Sequence, residues 1–117
     1  SATDKKEVIT QEVLTQFVKN SLETIVLALL NKKPLSGFQI IKSIAANYNV
    51  SLSHGTVYPL LKTLQERGII EIASSPDVKA KVYAPTEDGR KVIEQKLRDI
   101  AKTHEHLLAV IEGGVTE

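Results

Sequence analysis

Two short stretches of the chain carry side chains that could grip an anion. In the first, Ser53, His54, Thr56, Tyr58, Lys62 and Thr63 fall on a helical wheel away from Val57, Leu60, Leu61 and Leu64. Short hydroxyls beside the backbone N–H groups of a helix start suit phosphate oxygens. Lys62 has the reach for a phosphate or a guanine edge. In the second, Lys79, Lys81 and Tyr83 alternate with Ala80, Val82 and Ala84, a half-exposed strand whose lysines are phosphate candidates. Each residue taken singly has a plainer reading as the solvated side of a helix or strand. Their shared placement favours contact with nucleic acid.

Nothing comparable supports catalysis. Cys is absent, which removes thiol nucleophiles, disulfides, Cys-based zinc sites and iron–sulfur clusters. No Gly-x-Ser-x-Gly elbow or phosphate loop is present, and there are only three His. His104-Glu105-His106 is not a zinc-protease motif, because the residue three beyond Glu105 is Leu108. The expectation is a binding protein without enzyme activity, metal or cofactor.

The elements that must position these residues follow from apolar spacing. Residues 1–7 are polar and read as a frayed tail. Ile9, Val13, Leu14, Phe17 and Val18 have helical spacing, and Leu22, Ile25, Val26, Leu29 and Leu30 form a second stripe behind a possible N-cap, Ser21. Whether residues 8–31 are one helix or two stays open at Asn20-Ser21. Lys32-Lys33-Pro34 stops the helix. Ser36 and Gln39 then form a capping box for a helix whose buried stripe is Phe38, Ile41, Ile44, Ala45 and Tyr48, with Asn49 as C-cap. The next helix, over 53–68, is capped by Ser53 and ended by Gly68. Residues 69–75 and 79–85 predict two strands of a hairpin around Ser75-Pro76-Asp77. Thr86 caps a long last helix with Glu87 and Asp88 in its first turn.

Two helices joined by a short loop, then a hairpin at once, is the connectivity of a winged helix-turn-helix. The predicted fold is therefore mainly α with a small β-hairpin, flanked by an N-terminal helix and a long C-terminal helix. Its divisions are a tail and extra helix over 1–20, the winged domain over 21–85, and a dimerisation helix and tail over 86–117. The helix over 53–68 would enter the major groove, and the hairpin would lie on the backbone.

The formal net charge of +1 looks too small for a DNA binder, but it is unevenly spread. Residues 32–91 hold nine basic and five acidic side chains, and the remainder holds six basic and nine acidic. A basic centre with acidic flanks suits a DNA-contacting core whose affinity depends on dimerisation and site geometry.

Three blocks, NSLETIVLALLNKKPLSGFQI, SHGTVYPLLKTLQERGII and KVYAPTEDGRKVI, occur in an order that resembles the PadR family of transcriptional regulators, over roughly residues 20–95. The resemblance implies a homodimeric winged-helix repressor of the short form, with a single C-terminal dimerisation helix. Tyr58 resembles the family's tyrosine beside the phosphate backbone, and His54 stands where the family often has Pro. Some members sense small aromatic or drug-like molecules at the dimer interface. With three Tyr and two Phe in the chain, an effector stays open, and Phe17, Phe38 and Tyr48 read as core. The competing function is a winged helix used for protein–protein assembly without specific DNA binding.

A dimer seam is legible as well. Ile93, Leu97, Ile100, His104, Leu107 and Ile111 repeat with the a/d spacing of a heptad. The partner helix would be the same segment of a second copy, or the N-terminal helix through Val13, Leu14, Phe17 and Val18. His104 reads first as a buried polar residue that fixes register, then as an exposed edge, and last as a pH-responsive pair. A two-fold dimer predicts a palindromic operator on double-stranded DNA. The longest apolar run, Ile25 to Leu30, falls short of the roughly 18 residues of a membrane span. No signal-peptide core is visible, so the expected location is cytoplasmic with no membrane partner.

Overall fold

In the computed structural model, residues 8–113 are described. The tail expected over 1–7 and residues 114–117 lie outside them. The elements are α1 (Gln11–Asn20), α2 (Leu22–Lys32), β1 (Leu35–Ser36), α3 (Gly37–Tyr48), α4 (His54–Glu66), β2 (Ile70–Ile72), β3 (Val82–Pro85) and α5 (Glu87–Ile111). The three strands form one antiparallel sheet in the order β1-β3-β2.

The open question over 8–31 resolves as two helices, which meet at 78° around Ser21. Ser21 makes no side-chain cap to α2. The bend instead serves burial: it lets α1 sink Val18 while α2 sinks Ile25, Val26, Leu27 and Leu30. The far end of α1 is clipped down by Gln11, whose Nε2 donates to the Asn49 carbonyl at 2.9 Å while its Oε1 accepts from Asn49 Nδ2 at 3.1 Å. Asn49 can take part because it is the left-handed C-cap of α3, with φ of 55°.

The predicted capping box at α3 is present. Gln39 N donates to Ser36 Oγ at 3.1 Å, and Ser36 N donates to Gln39 Oε1 at 2.8 Å. Thr86 likewise caps α5, accepting from Gly89 N at 2.8 Å. The buried stripe of α3 is corrected by one step around the helix. Ile40 and Ile44 are fully buried beneath Gly37, whereas Phe38 is 55% exposed. Phe17 is also largely exposed, at 41%, and Tyr48 is half-buried. Ala, Ile and Phe at neighbouring positions fit two adjacent helical stripes, and the sheet and α4 select the one containing Ile40.

The hairpin is shorter than predicted, and a strand had been missed. The paired residues are 70–72 and 82–85, so Ala73 to Lys81 form a loop with Lys79 and Lys81 in it. Ala73 N still donates to the Val82 carbonyl at 2.7 Å, and Ser74 Oγ accepts from Val82 N at 3.1 Å, which closes the loop's base. β1 is only two residues long and has no periodicity to read; it exists because Leu35 and Ser36 pair with Tyr83 and Val82. That pairing turns Tyr83 inward, to 6% exposure, and overturns its expected place on the exposed face with the lysines.

The core draws on every helix: Val18 from α1, Leu27 and Leu30 from α2, Ile40 and Ile44 from α3, Val57, Leu61 and Leu64 from α4, and Ile93 from α5. α5 starts tight against the body. A Cβ on Gly89 would lie 1.9 Å from the Ile69 carbonyl oxygen, so only Gly allows this approach. The first predicted seam residue is corrected accordingly. Ile93 has no exposed surface, and Leu97 packs half-buried on the same cluster. Both serve the chain's own core.

One polar node ties three helices together. Glu23 of α2 accepts from Lys96 of α5 at 2.5 Å and from Arg67, the C-cap of α4, at 3.5 Å. The Lys96 hydrogen bond and the two cations hold its carboxyl below the usual 4.5, against an opposing contribution from burial. A carboxylate with a lowered folded pKa stabilises the fold above its unfolded value, and that stabilisation is lost as pH falls through the folded value. Glu23→Gln should therefore cost stability at pH 7, by about 1 kcal/mol at most for so exposed a cluster, and the gap to wild type should close below 4.5. Thermal melts of both proteins between pH 7 and pH 3 check this, and a gap that persists at pH 3 would contradict it.

Candidate nucleic-acid interface

Helix α4 presents two opposite faces. Val57, Leu61 and Leu64 have 0% exposure, while Ser53, His54, Thr56, Tyr58, Lys62 and Thr63 are all exposed. The structure thus brings the six predicted residues onto one outward surface. Ser53 occupies the N-cap position with φ of −87° and ψ of 160°, but its hydroxyl makes no cap to the backbone. It pairs with Thr56 Oγ1 at 3.1 Å instead. Thr63 donates its hydroxyl to the Pro59 carbonyl at 3.0 Å. That bond turns the hydroxyl back onto its own helix and leaves its oxygen only as an acceptor. The helix runs unbroken through Pro59.

His54 and Tyr58 lie one turn apart and stack, with ring centroids 5.2 Å apart and planes within 9°. Tyr58 is held from the other side by α3. The position a Cβ on Gly37 would take is 2.5 Å from the Tyr58 ring, so the ring rests directly on the Gly37 backbone. These contacts order a side chain that is still 36% exposed.

Between α3, α4 and the wing loop runs a groove of about 340 Å³, lined by Ser36, Phe38, Tyr58, Lys79, Ala80, Lys81 and Tyr83. It gathers both predicted wing lysines beside Tyr58. Tyr83 forms part of its wall from the buried side. Burial, with Tyr58 nearby, pushes the Tyr83 phenol above its usual value of 10.0, so it stays neutral at physiological pH. Phe38 is the groove residue that sequence reasoning missed, having been assigned to the core. It stands exposed with the Lys42 ammonium 5.4 Å from its ring centroid. No local signal separates Phe38 from the buried stripe, because the Tyr58 ring that rests on Gly37 comes from α4.

The family model described as the PadR-like family of transcriptional regulators matches residues 26–95, well over half of the chain. The chain belongs to that family. A transcriptional regulator of Escherichia coli K12, YqjI, is 28% identical over 99 residues, which is 83% of this chain and 47% of that protein. The chain therefore spans about half the length of this relative. A PadR family transcriptional regulator from Eggerthella lenta has the same fold at a TM-score of 0.67 and 21% identity, over 86% of this chain and 90% of that one. A transcriptional regulator from Clostridium thermocellum superposes at 0.65 with 24% identity, over 93% of this chain and all of that one. The family is described as one of transcriptional regulators. The matched segment covers α3, α4 and the wing but excludes α1 and the outer part of α5. Among the described residues no single helix is long and apolar enough to cross a membrane.

The Gly37–Tyr58 contact generates a specific expectation. Gly37→Ala should change the unfolding free energy by no more than about 1 kcal/mol in either direction, because Ala favours the helix and the clash is with the outer end of a ring that can swing to solvent. The same change should break the His54–Tyr58 stack, visible as loss of the ring-current shift on the His54 protons by NMR. An unaltered stack would show that Gly37 does not seat Tyr58.

Proposed function

We propose that this chain is a homodimeric, sequence-specific regulator of double-stranded DNA, with α4 in the major groove and the loop between β2 and β3 on the backbone. The observation that carries this reading is the outward face of α4. Its six polar residues are exposed, and one of them, Tyr58, shares a groove with Lys79 and Lys81, while its opposite face is locked in the core. Lys62 takes a guanine edge or a phosphate, Ser53, His54 and Thr56 take backbone oxygens or base edges, Thr63 accepts from a base amino group, and the stacked Tyr58 lies along a phosphate. Tyr83 acts from beneath as a support for the wing. A bound dimer covering a palindromic operator excludes polymerase from the same DNA, which makes repression its mode. Acting on genomic DNA puts the protein in the chromosome's compartment.

Dimerisation through α5 is supported by how that helix divides. Its inner half is packed, whereas Leu107, Leu108 and Ile111 are 53%, 54% and 70% exposed and His104 is exposed beside them. At about 1.5 Å per residue the 25-residue helix is about 38 Å long. The whole chain, α5 included, measures 54 × 29 × 28 Å along its principal axes. Such an apolar tip calls for a partner, and Val13 and Phe17 on α1 offer a second exposed apolar edge. The double change Leu107→Asp with Ile111→Asp should leave the fold intact and yield monomers by light scattering. Operator affinity should then fall at least tenfold. A dimer that survives both changes would place the seam elsewhere.

DNA contact is tested by gel shift on genomic fragments at several salt concentrations. The logarithm of affinity should fall steeply with the logarithm of salt. Lys62→Ala and Lys81→Ala should each weaken binding and flatten the slope by about 0.9 if each meets one phosphate. Weak, salt-insensitive binding that both variants share with wild type would point to a winged helix used for protein assembly.

A further inference from the structure

The extra helix α1 reaches the start of α4. Lys19, in the last turn of α1, lines one cleft of about 490 Å³ together with Leu22, Ser51, Leu52, Ser53 and Thr56. Leu22 and Leu52 are half-buried and form its apolar floor, and Ser51, Ser53, Thr56 and Lys19 are exposed around them. Lys19 is the single charge among the lining residues, so the cleft is cationic. Two of its hydroxyls already converge, Ser53 Oγ and Thr56 Oγ1 lying 3.1 Å apart. Ser53 and Thr56 also open the outward face of α4, which makes the cleft continuous with the proposed DNA surface.

We propose that this cleft is an additional phosphate seat, in which Lys19 and the hydroxyls of Ser51 and Thr56 hold one backbone phosphate of the DNA duplex on the flank of the half-site. An ammonium with several short hydroxyl donors matches a phosphodiester, which offers two charged oxygens and no base information. The occupant is duplex DNA rather than a free anion because two of the lining residues also belong to the α4 face. The inference rests on the DNA-binding reading and extends it to a helix outside the family match of residues 26–95. It therefore assigns α1 a role of its own: lengthening the footprint and adding affinity without adding sequence preference.

The experiment uses the full chain and a duplex recovered from a random pool by wild-type protein. Lys19→Gln should weaken binding about threefold to tenfold at low salt and flatten the log–log salt slope by about 0.9, with the base preference of the selected site unchanged. Lys19→Arg should restore both. Lys102→Gln, an exposed lysine on the outer half of α5, should change neither. A neutral methylphosphonate walked along the flank should weaken wild type at one position and leave Lys19→Gln indifferent there. Lys19→Gln binding with wild-type affinity and slope would overturn the phosphate seat while leaving the DNA reading intact. Wild-type protein that recovers no duplex from the pool would overturn both.

Discussion

The rotation of α4 about its own axis is the constraint on which the rest depends. Val57, Leu61 and Leu64 are completely withdrawn from solvent, in one cluster with Leu27, Leu30, Ile40 and Ile44. Fully burying such a side chain is worth about 1.5–3 kcal/mol. Turning α4 far enough to present another face would forfeit three of them, a loss comparable to the roughly 5–15 kcal/mol that holds a whole domain together. The outward face is thereby aimed mainly by the burial of the opposite one. Polar residues that contribute little to stability are aimed by apolar ones that contribute most of it.

The same logic divides α5. Its apolar stripe is long enough for two jobs, and the inner part is taken by the chain's own core, since the Gly89 contact with Ile69 brings Ile93 and Leu97 down onto the body. The outer part is largely exposed among the described residues. Glu23 links the halves of the molecule at a point where α2, the end of α4 and α5 converge. A change in the direction of α5 would break the Lys96 end of this node first. The electrostatic cost of such a change is small, because all three partners are partly solvated.

The wing lysines and Phe38 show where local pattern and long-range pairing part company. Alternation over 79–85 correctly signalled a strand near Tyr83 but put it on the wrong face, because β1 claims one edge of β3 and sets the inward side. A two-residue strand carries no periodicity, so nothing local announces it. Phe38 fits an apolar stripe as well as Ile40 does. What separates them is the ring of Tyr58 lying on Gly37, a contact between residues distant in sequence.

Composition, capping residues and helical spacing were enough to determine five features: the order of the two helices, hairpin and long helix from α3 to α5, the cap at Ser36, the cap at Thr86, the two-faced character of α4, and a basic centre between acidic flanks. These depend on interactions within a turn or two of the chain, or on sums over residues, and both are written linearly. The tertiary structure alone decided that α1 and α2 are separate helices at 78°, that Tyr83 and Ile93 face inward, that Phe38 faces out, and that Lys19 meets Ser51 and Thr56 in one cleft. Each of those is a choice between two locally acceptable arrangements. The choice is made by which one lets distant apolar surfaces close over one another, a free energy that no local window contains.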